Sequence, residues 1–293
     1  MLQQTRVAAV LEHYARWLRR FPSVQVLAEA PEATVLAAWS GLGYYHRARR
    51  MHRAAKMIVG QRRGTFPQTA EQWLTLPGIG RYTAAAIASI AYGETAAVVD
   101  GNVERVLTRM FGPKQSKEAV WRYAEVLLSP ERPGDFNQAM MEVGATICAP
   151  RAPQCLVCPL VTWCKTRGVN PSEPQTARRR KQLYYGLACK GDSVLLVQRA
   201  HDASLMAGMW ELPSLDGAPA NGDASLARLR HSITNTDYDV SVIMVSVKNS
   251  ADLAPGAKWF KRQRWEQLPL TGLARKILRR LVVESSQGDS QSN

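Results

Sequence analysis

The stretch CAPRAPQCLVCPLVTWC, residues 148–164, holds four of the chain's five cysteines, namely Cys148, Cys155, Cys158 and Cys164. Their spacing, C-x6-C-x2-C-x5-C, places all four thiols on one short loop. Thiols this close in sequence form disulfides or bind a shared metal centre. Disulfides would need an oxidising compartment, and the amino end shows no secretory signal. The unequal gaps favour a [4Fe–4S] cluster over a zinc site, with disulfides or free thiols as the third alternative.

The composition indicates a globular protein with an anionic partner. A chain of 293 residues is long enough for about two domains, and its hydrophobic content of 46% is enough for a packed core. The excess of 38 Lys and Arg over 24 Asp and Glu gives a formal net charge of +14. This charge favours nucleic acid over a membrane surface, because no apolar run is long enough to cross a bilayer. The alternative is a basic surface without a specific partner.

Hydrophobic periodicity predicts an all-helical region up to the cysteine loop. Proline residues at positions 22, 31 and 67 separate the amino-terminal helices. The predicted helices span residues 2–20, 23–29, 32–39, 45–61, 69–75, 81–92, 102–111, 116–128 and 134–147.

The character of the sequence changes after the cysteine loop. Residues 184–198 and 238–247 are rich in β-branched and apolar residues and predict strands, and a helical pattern returns at 272–283. Cys189 stands alone in an apolar run, which predicts a buried core thiol. The predicted order is a helical domain (1–147), the cysteine loop (148–165), a basic linker (166–183), an α+β domain (184–284) and a disordered tail (285–293).

Two motifs in the helical region suggest a phosphate site and a functional carboxylate. In LPGIG, residues 76–80, Gly78 and Gly80 predict a tight turn between helices whose backbone N–H groups can hold a phosphate. The alternative is an ordinary turn. In VVDGNV, residues 98–103, Asp100 follows an apolar run and precedes a helix. Asp100 or Asn102 could equally serve only as the cap of that helix.

A third motif, GLGYY at residues 41–45, leads into a helix that carries four arginines and a lysine. Exposed aromatic side chains beside cations are suited to wedging between bases and contacting the phosphate backbone. The alternative is that the tyrosines pack in the core and the basic residues form a solvated helix face.

Together these motifs resemble the helix-hairpin-helix DNA glycosylases and, within that superfamily, the adenine DNA glycosylase (MutY) branch. The resemblance runs from residue 2 to residue 164 and rests on QQT (3–5), GLGYYHRARR, LPGIGRYTA, VVDGNVERV, FNQAMMEVGATIC and the cysteine spacing. It implies a [4Fe–4S] cofactor on the four cysteines. It also implies a monomer that binds duplex DNA and excises adenine mispaired with 8-oxoguanine or guanine by base flipping and hydrolysis.

The resemblance also implies roles for single residues. Asp100 would stabilise positive charge on the sugar, supported by Asn102 and Tyr82. Tyr82 stands where glycosylases that also cut the backbone carry a Schiff-base lysine, which argues for a monofunctional enzyme and against a lyase. The implied DNA- and base-binding residues are Gln3, Gln4, Tyr44, Gly78, Gly80 and Glu142, of which Tyr44 and Gln4 are the wedge candidates. Glu142 would read the adenine edge, or else be an ordinary exposed helix residue.

The family's general acid is a glutamate two residues before the position that matches Met1, in a segment S-E-x-M-L-Q-Q-T. We therefore expect either a start further upstream or a chain that binds DNA with impaired excision. We also expect an exposed apolar face where the family's preceding helix would pack.

The carboxy-terminal residues resemble the Nudix-like domain of the same family, through VLLVQR (194–199) and GMWELP (208–213). No R-E-x-x-E-E sequence follows, so pyrophosphatase activity is not expected. The family recognises 8-oxoguanine with an F-S/T-H element, which here reads Ile233-Thr234-Asn235. Thr234 is therefore the candidate contact to the oxidised base, or else an ordinary loop residue. The resemblance implies a cytoplasmic, nucleoid-associated bacterial protein with no membrane partner.

Overall fold

The computed structural model describes residues 1, 5, 7–113, 115–167, 178–217, 225–233, 235–247 and 254–288, apart from the side chains of residues 9 and 281–288. The chain forms two compact units. The first combines Met1–Lys56 with Thr176–Asn293, and the second is Met57–Gln175. In the described part of the chain, no helix has the length and apolar character needed to cross a membrane.

The amino-terminal helices are α1 (Val7–Arg20), α2 (Val24–Glu29), α3 (Glu32–Trp39) and α4 (Tyr45–Arg62). The first three belong to the first unit, and α4 begins there and ends in the second. The side chain of Ser23 caps α2 by accepting a hydrogen bond from the Val26 N–H at 3.3 Å. Trp17 packs edge-on against Trp39, with ring centroids 5.5 Å apart. Helix α1 leaves four apolar side chains exposed, namely Val7, Leu11, Tyr14 and Leu18.

The second unit contains α5 (Ala70–Leu74), α6 (Arg81–Tyr92), α7 (Gly101–Phe111), α8 (Lys117–Leu127) and α9 (Pro133–Glu142). Thr69, Asp100 and Ser116 cap α5, α7 and α8 with their side chains, and Pro133 occupies the first turn of α9. The helix predicted over 134–147 continues beyond Glu142 as a π-helix, Val143–Ile147. The core joins α7, α8 and α9 through Val103, Val106, Leu107, Met110, Val120, Ala124 and Met140.

The carboxy-terminal part of the first unit is α+β, as predicted. Its strands are β1 (Arg179–Leu187), β2 (Cys189–Lys190), β3 (Ser193–Gln198), β4 (Trp210–Glu211), β5 (Ser214–Leu215), β6 (Ala227–Ile233), β7 (Thr236–Met244) and β8 (Lys258–Lys261). One sheet has the order β5-β1-β7-β6, with β1 and β7 parallel. The second has the order β2-β3-β4, and β8 also pairs with β3. Helix α10 (Gly272–Gly288) contributes Leu273, Ile277 and Leu278 to the core that these strands share.

Three details differ from the sequence-based predictions. The apolar run 184–198 is not one strand, because a turn at Gly191, with φ of 58°, separates β2 from β3. Strand β1 begins at Arg179, inside the predicted linker, and α10 extends to Gly288, inside the predicted tail. The prediction of a buried Cys189 is wrong. Its thiol is exposed because Cys189 lies on a two-residue strand at the sheet edge. Residues 168–177 and 289–293 lie outside the described residues.

Candidate functional site

Asp100 is the residue that caps α7. Its Oδ1 accepts hydrogen bonds from the backbone N–H groups of Asn102 at 2.9 Å and Val103 at 2.8 Å. Its Oδ2 accepts a third from the side-chain amide of Asn102 at 3.1 Å. Asp100 is therefore the N-cap of α7, as one alternative predicted, and it is at the same time partly exposed to solvent. Three donors hold this carboxylate in one orientation, which is what a group aimed at a reacting centre needs.

Tyr82 lies near this carboxylate on the first turn of α6. Its side chain is half-buried, and its hydroxyl is 4.0 Å from the sulfur of Met141. Burial raises the pKa of Tyr82, and the negative charge of Asp100 raises it further. Tyr82 therefore keeps its proton at neutral pH and can act as a hydrogen-bond donor beside Asp100.

The predicted hairpin turn joins α5 to α6. Gly78 has φ of 82°, a left-handed conformation that a residue with a Cβ rarely adopts. Gly80 occupies the N-cap position of α6 and offers no side chain to cap it. The first N–H groups of a helix have no partner within the helix, so this end can accept an anion. Phosphate binding by Gly78 and Gly80 stays a prediction.

Asn137 on α9 fixes the segment that leads into Asp100. Its amide is only 3% exposed. It donates to the Ser89 hydroxyl and the Ala96 carbonyl, each at 2.9 Å, and accepts from the Val98 N–H at 3.2 Å. Both ends of the segment 96–98 therefore form hydrogen bonds to this buried side chain. Sequence reasoning missed Asn137 because each of its three contacts lies at least 39 residues away along the chain.

Arg105 joins the start of α7 to the cysteine loop. Its guanidinium donates to the Asn102 side-chain oxygen at 2.9 Å, to the Cys148 carbonyl at 2.8 Å and to the Gly144 carbonyl at 2.6 Å. Asn102 thus donates to Asp100 and accepts from Arg105. The loop's position and the orientation of Asp100 are connected through the side chains of Asn102 and Arg105, of which sequence reasoning identified only Asn102.

Gly144 lies in van der Waals contact with the first turn of α7. A Cβ added at this position would lie 2.6 Å from the Cβ of Asn102 and 2.9 Å from its carbonyl oxygen. The π-helical turn therefore packs against the Asp100 cap more closely than any other residue type allows.

We expect Gly144→Ala to lower the free energy of unfolding by about 1–3 kcal/mol, because the clash moves the first turn of α7. Chemical denaturation measures the change. The matched control is Gly60→Ala on α4, where an added Cβ meets nothing within 4 Å. That control should be neutral or slightly stabilising, because alanine favours helix. Wild-type stability in Gly144→Ala would contradict the close packing described here.

The four clustered cysteines line one pocket. Arg109, only 7% exposed, lies at its edge and donates to the Cys148 sulfur at 3.2 Å and to the carbonyls of Ala149 and Pro150 at 2.9 and 3.0 Å. Burial raises the pKa of the Cys155 thiol, and the other three thiols raise it further. The four thiols are therefore close enough to interact electrostatically, and the Arg109 guanidinium is the neighbouring cation.

The spacing of the four cysteines allows two kinds of metal centre, a zinc ion or an iron–sulfur cluster. Within the described residues, no three or more Cys, His, Asp or Glu side chains are placed to hold a single metal ion. A zinc site needs every sulfur about 2.3 Å from one ion. The four cysteines line one pocket and are the residues that would hold either group.

The structure brings Asp100, Asn102 and Tyr82 together in the second unit, which also contains the hairpin glycines and the cysteine pocket. The Glu142 side chain is exposed. Its proposed contact with the adenine edge therefore stays a prediction, beside the alternative of an ordinary exposed helix residue. Tyr44 belongs to the first unit, where it is 40% exposed and has φ of 47°. Gln3, Gln4 and Thr234 lie outside the described residues.

Comparison of the sequence with known proteins finds close relatives. Residues 1–130 match the family described as "HhH-GPD superfamily base excision DNA repair protein". Adenine DNA glycosylase of Mus musculus is 34% identical and the match covers 95% of this chain and 69% of that protein. The human protein of the same name is 32% identical, covering 95% of this chain and 66% of that protein. The chain thus spans about two thirds of the length of these relatives.

Two solved structures resemble the chain over part of its length. A thermostable thymine-DNA glycosylase superposes with a TM-score of 0.53 at 30% identity, covering 57% of this chain and 79% of that one. An endonuclease III in a non-covalent complex with DNA superposes with a TM-score of 0.51 at 26% identity, covering 56% of this chain and 78% of that one.

Proposed function

The chain belongs to the adenine DNA glycosylase family of helix-hairpin-helix base excision repair proteins, and from that premise we propose that it hydrolyses the N-glycosidic bond of adenine mispaired with 8-oxoguanine or guanine in duplex DNA. The observation that carries the proposal is the Asp100 carboxylate, fixed by three hydrogen bonds, partly exposed and close to Tyr82. Relatives named for the same reaction support the choice of base.

Binding to DNA is supported by charge and by the hairpin. The formal charge of +14 provides a sequence-independent attraction to phosphates. The uncapped start of α6 after Gly78 and Gly80 provides a local anion site on the backbone. An adenine inside a duplex cannot reach a protein carboxylate, so the base has to be flipped out of the stack.

Asp100 acts on the charge that develops during bond cleavage. As the bond between adenine and the sugar lengthens, its electron pair leaves with the base and the deoxyribose becomes cationic. A carboxylate already held in place stabilises this cation without having to reorient. A water molecule then adds to the sugar carbon and loses a proton, and the departing adenine takes up a proton, so that water is divided between the two products. The hydroxyl of Tyr82 and the amide of Asn102 keep the surroundings of the carboxylate polar.

The cysteine pocket supports the proposal that Cys148, Cys155, Cys158 and Cys164 hold a [4Fe–4S] cluster. Such a group supplies folding energy to the loop that binds it. The protein's own contribution lies in the two arginines of α7. Arg109 donates to the Cys148 sulfur, and Arg105 connects the same residue's carbonyl to Asn102. The loop therefore braces the turn that orients Asp100.

We propose two further roles. The carboxy-terminal domain recognises the opposite base, and Tyr44 fills the gap left by the flipped base. Thr234 is the candidate contact to 8-oxoguanine. Tyr44, exposed in a left-handed conformation, is the candidate wedge that fills the gap left by the flipped base.

The direct test compares duplexes that contain adenine opposite 8-oxoguanine, guanine or thymine. Alkali-revealed abasic product from the first two, and none from the third, is the expected result. Adenine release from the paired A:T duplex at a similar rate would refute the mispair specificity. Binding of the duplex without any abasic product would show that the chain is a DNA-binding protein and not an enzyme.

Because Tyr82 stands where a Schiff-base lysine would be required, borohydride reduction during the reaction should trap no covalent protein–DNA adduct. An endonuclease III, run in parallel on its own substrate, provides the positive control. A trapped adduct would show that an amine of this chain attacks the sugar, and the hydrolytic mechanism would then be wrong.

A further inference from the structure

The exposed aromatic Tyr44 belongs to a loop, Ser40–Tyr45, that connects α3 to α4 and is named here the Tyr44 loop. Its backbone is left-handed at Gly41 (φ 106°), Gly43 (φ 70°) and Tyr44 itself (φ 47°). A tyrosine seldom adopts this conformation, and it persists only where the surroundings impose it. The contacts that hold the loop therefore decide where the Tyr44 ring lies.

Both ends of the loop are bound to one carbonyl group of the carboxy-terminal domain. The Ser40 hydroxyl donates to the Leu270 carbonyl at 2.9 Å, and the Tyr45 hydroxyl donates to the same oxygen at 3.3 Å. All three residues are buried, with 3%, 6% and 2% of their surfaces exposed. Buried hydrogen bonds of this kind are costly to break, because the carbonyl is shielded from water.

The Leu270 carbonyl is itself a fixed point. Leu270 pairs with Trp210 of β4 in an isolated bridge. The Trp210 N–H donates to the Pro269 carbonyl, and the Thr271 N–H donates to the Trp210 carbonyl, each at 2.9 Å. The anchor of the Tyr44 loop is thus part of the sheet core of the carboxy-terminal domain.

A second contact links α4 to the same domain. The Arg49 guanidinium forms an ion pair with Glu32 at 2.8 Å and also donates to the Ala207 carbonyl, in the turn that precedes β4. Helix α4 begins at Tyr45, so Arg49 holds the first turns of the helix on which the loop ends.

The remaining contacts of the loop are local and shape its interior. The indole N–H of Trp39 donates to the Gly43 carbonyl at 3.0 Å, and His13 donates to the Ser40 carbonyl at 3.1 Å. The Arg47 guanidinium lies 5.2 Å from the centre of the Tyr44 ring. These contacts explain the loop's conformation but do not connect it to the carboxy-terminal domain.

We propose that the carboxy-terminal domain positions Tyr44 for insertion into the duplex, through the Leu270 carbonyl that Ser40 and Tyr45 share. The inference rests on the proposed function, since it takes Tyr44 as the wedge. Ser40 and Tyr45 are then positioning residues for DNA binding. The carboxy-terminal domain is also the domain proposed to recognise the opposite base. Recognition of that base and insertion of Tyr44 are therefore coupled.

The test measures binding, not excision. The probe is a duplex that carries a non-hydrolysable 2′-fluoro-adenosine opposite 8-oxoguanine, and the variants are Ser40→Ala and Tyr45→Phe. We expect each variant to raise the Kd by roughly fivefold, and the pair by more, because each removes one buried hydrogen bond. Tyr184→Phe is the matched control, since its hydroxyl bonds only to the exposed Gln182 in the described structure, and it should bind as wild type does.

A double-mutant cycle separates positioning from general stability. In a Tyr44→Ala background, Ser40→Ala and Tyr45→Phe should have no further effect on Kd, because there is no wedge left to position. The proposal would be overturned if both variants raised the Kd equally in the wild-type and Tyr44→Ala backgrounds. It would also be overturned if both variants bound the duplex as tightly as wild type. Excision is not part of this measurement. If the wild-type protein binds the duplex tightly but does not excise adenine, the proposed function is refuted and the proposed positioning of Tyr44 is not.

Discussion

Replacing Asp100 with asparagine is expected to lower the single-turnover rate of adenine excision by at least about 1,000-fold. Loss of one preorganised electrostatic contact to a transition state costs about 10²–10³ in rate, and here the lost group is a full negative charge facing a cation. Asparagine is as good an N-cap as aspartate, so α7 should keep its start and the protein its stability. Binding of lesion duplex should stay within a few-fold of wild type.

The control for this prediction is Ser116→Ala. Ser116 caps α8 in the same unit by accepting from the Ala119 N–H at 3.1 Å. Its loss should cost about 1 kcal/mol of stability and leave the excision rate unchanged. If Asp100→Asn excises adenine within tenfold of the wild-type rate, then Asp100 is a helix cap only.

Replacing Cys158 with alanine is expected to remove the brown colour and nearly all bound iron and sulfide from the purified protein. Three thiolates leave one iron of the cluster without a protein ligand, and the loop loses the folding energy that the bound group supplies. The cysteine loop braces the start of α7 through Arg105, so excision should be lost together with the chromophore.

The matched control is Cys189→Ala, which removes the remaining cysteine. This thiol is exposed on β2, outside the cysteine pocket, so its loss should change neither iron content nor excision. Zinc in stoichiometric amount, without iron or acid-labile sulfide, in the wild-type protein would contradict the cluster. Full iron content in Cys158→Ala would contradict the ligand set.

The helices were predictable because residues close to each helix end determine its boundaries. Side-chain caps at Thr69 and Ser116 and proline at position 133 mark helix starts, and α3 and α6 begin and end at the predicted residues. The change to a π-helix at Val143 was not predictable from the local sequence, and its Gly144 packs against Asn102 on another helix.

The candidate site was predictable only where a motif carries the chemistry. Asp100, Tyr82 and the cysteine spacing stand out in the sequence. The groups that hold them do not, because Asn137, Arg105 and Arg109 act through contacts about 40 residues away. The wrong prediction for Cys189 has a different origin. Its apolar neighbours suggested one buried strand, and the turn signal at Gly191 was overlooked.

The most direct measurement of the central claim is the affinity for two abasic-site analogues placed opposite 8-oxoguanine. One is a pyrrolidine that is protonated at the position of the sugar cation, and the other is an uncharged tetrahydrofuran. Wild type should bind the cationic analogue at least about 100-fold more tightly, as expected for a group that mimics the transition state. In Asp100→Asn this preference should vanish while the affinity for the neutral analogue is unchanged. An equal preference for the cation in wild type and Asp100→Asn would contradict the account, since the charge would then be stabilised by some other group.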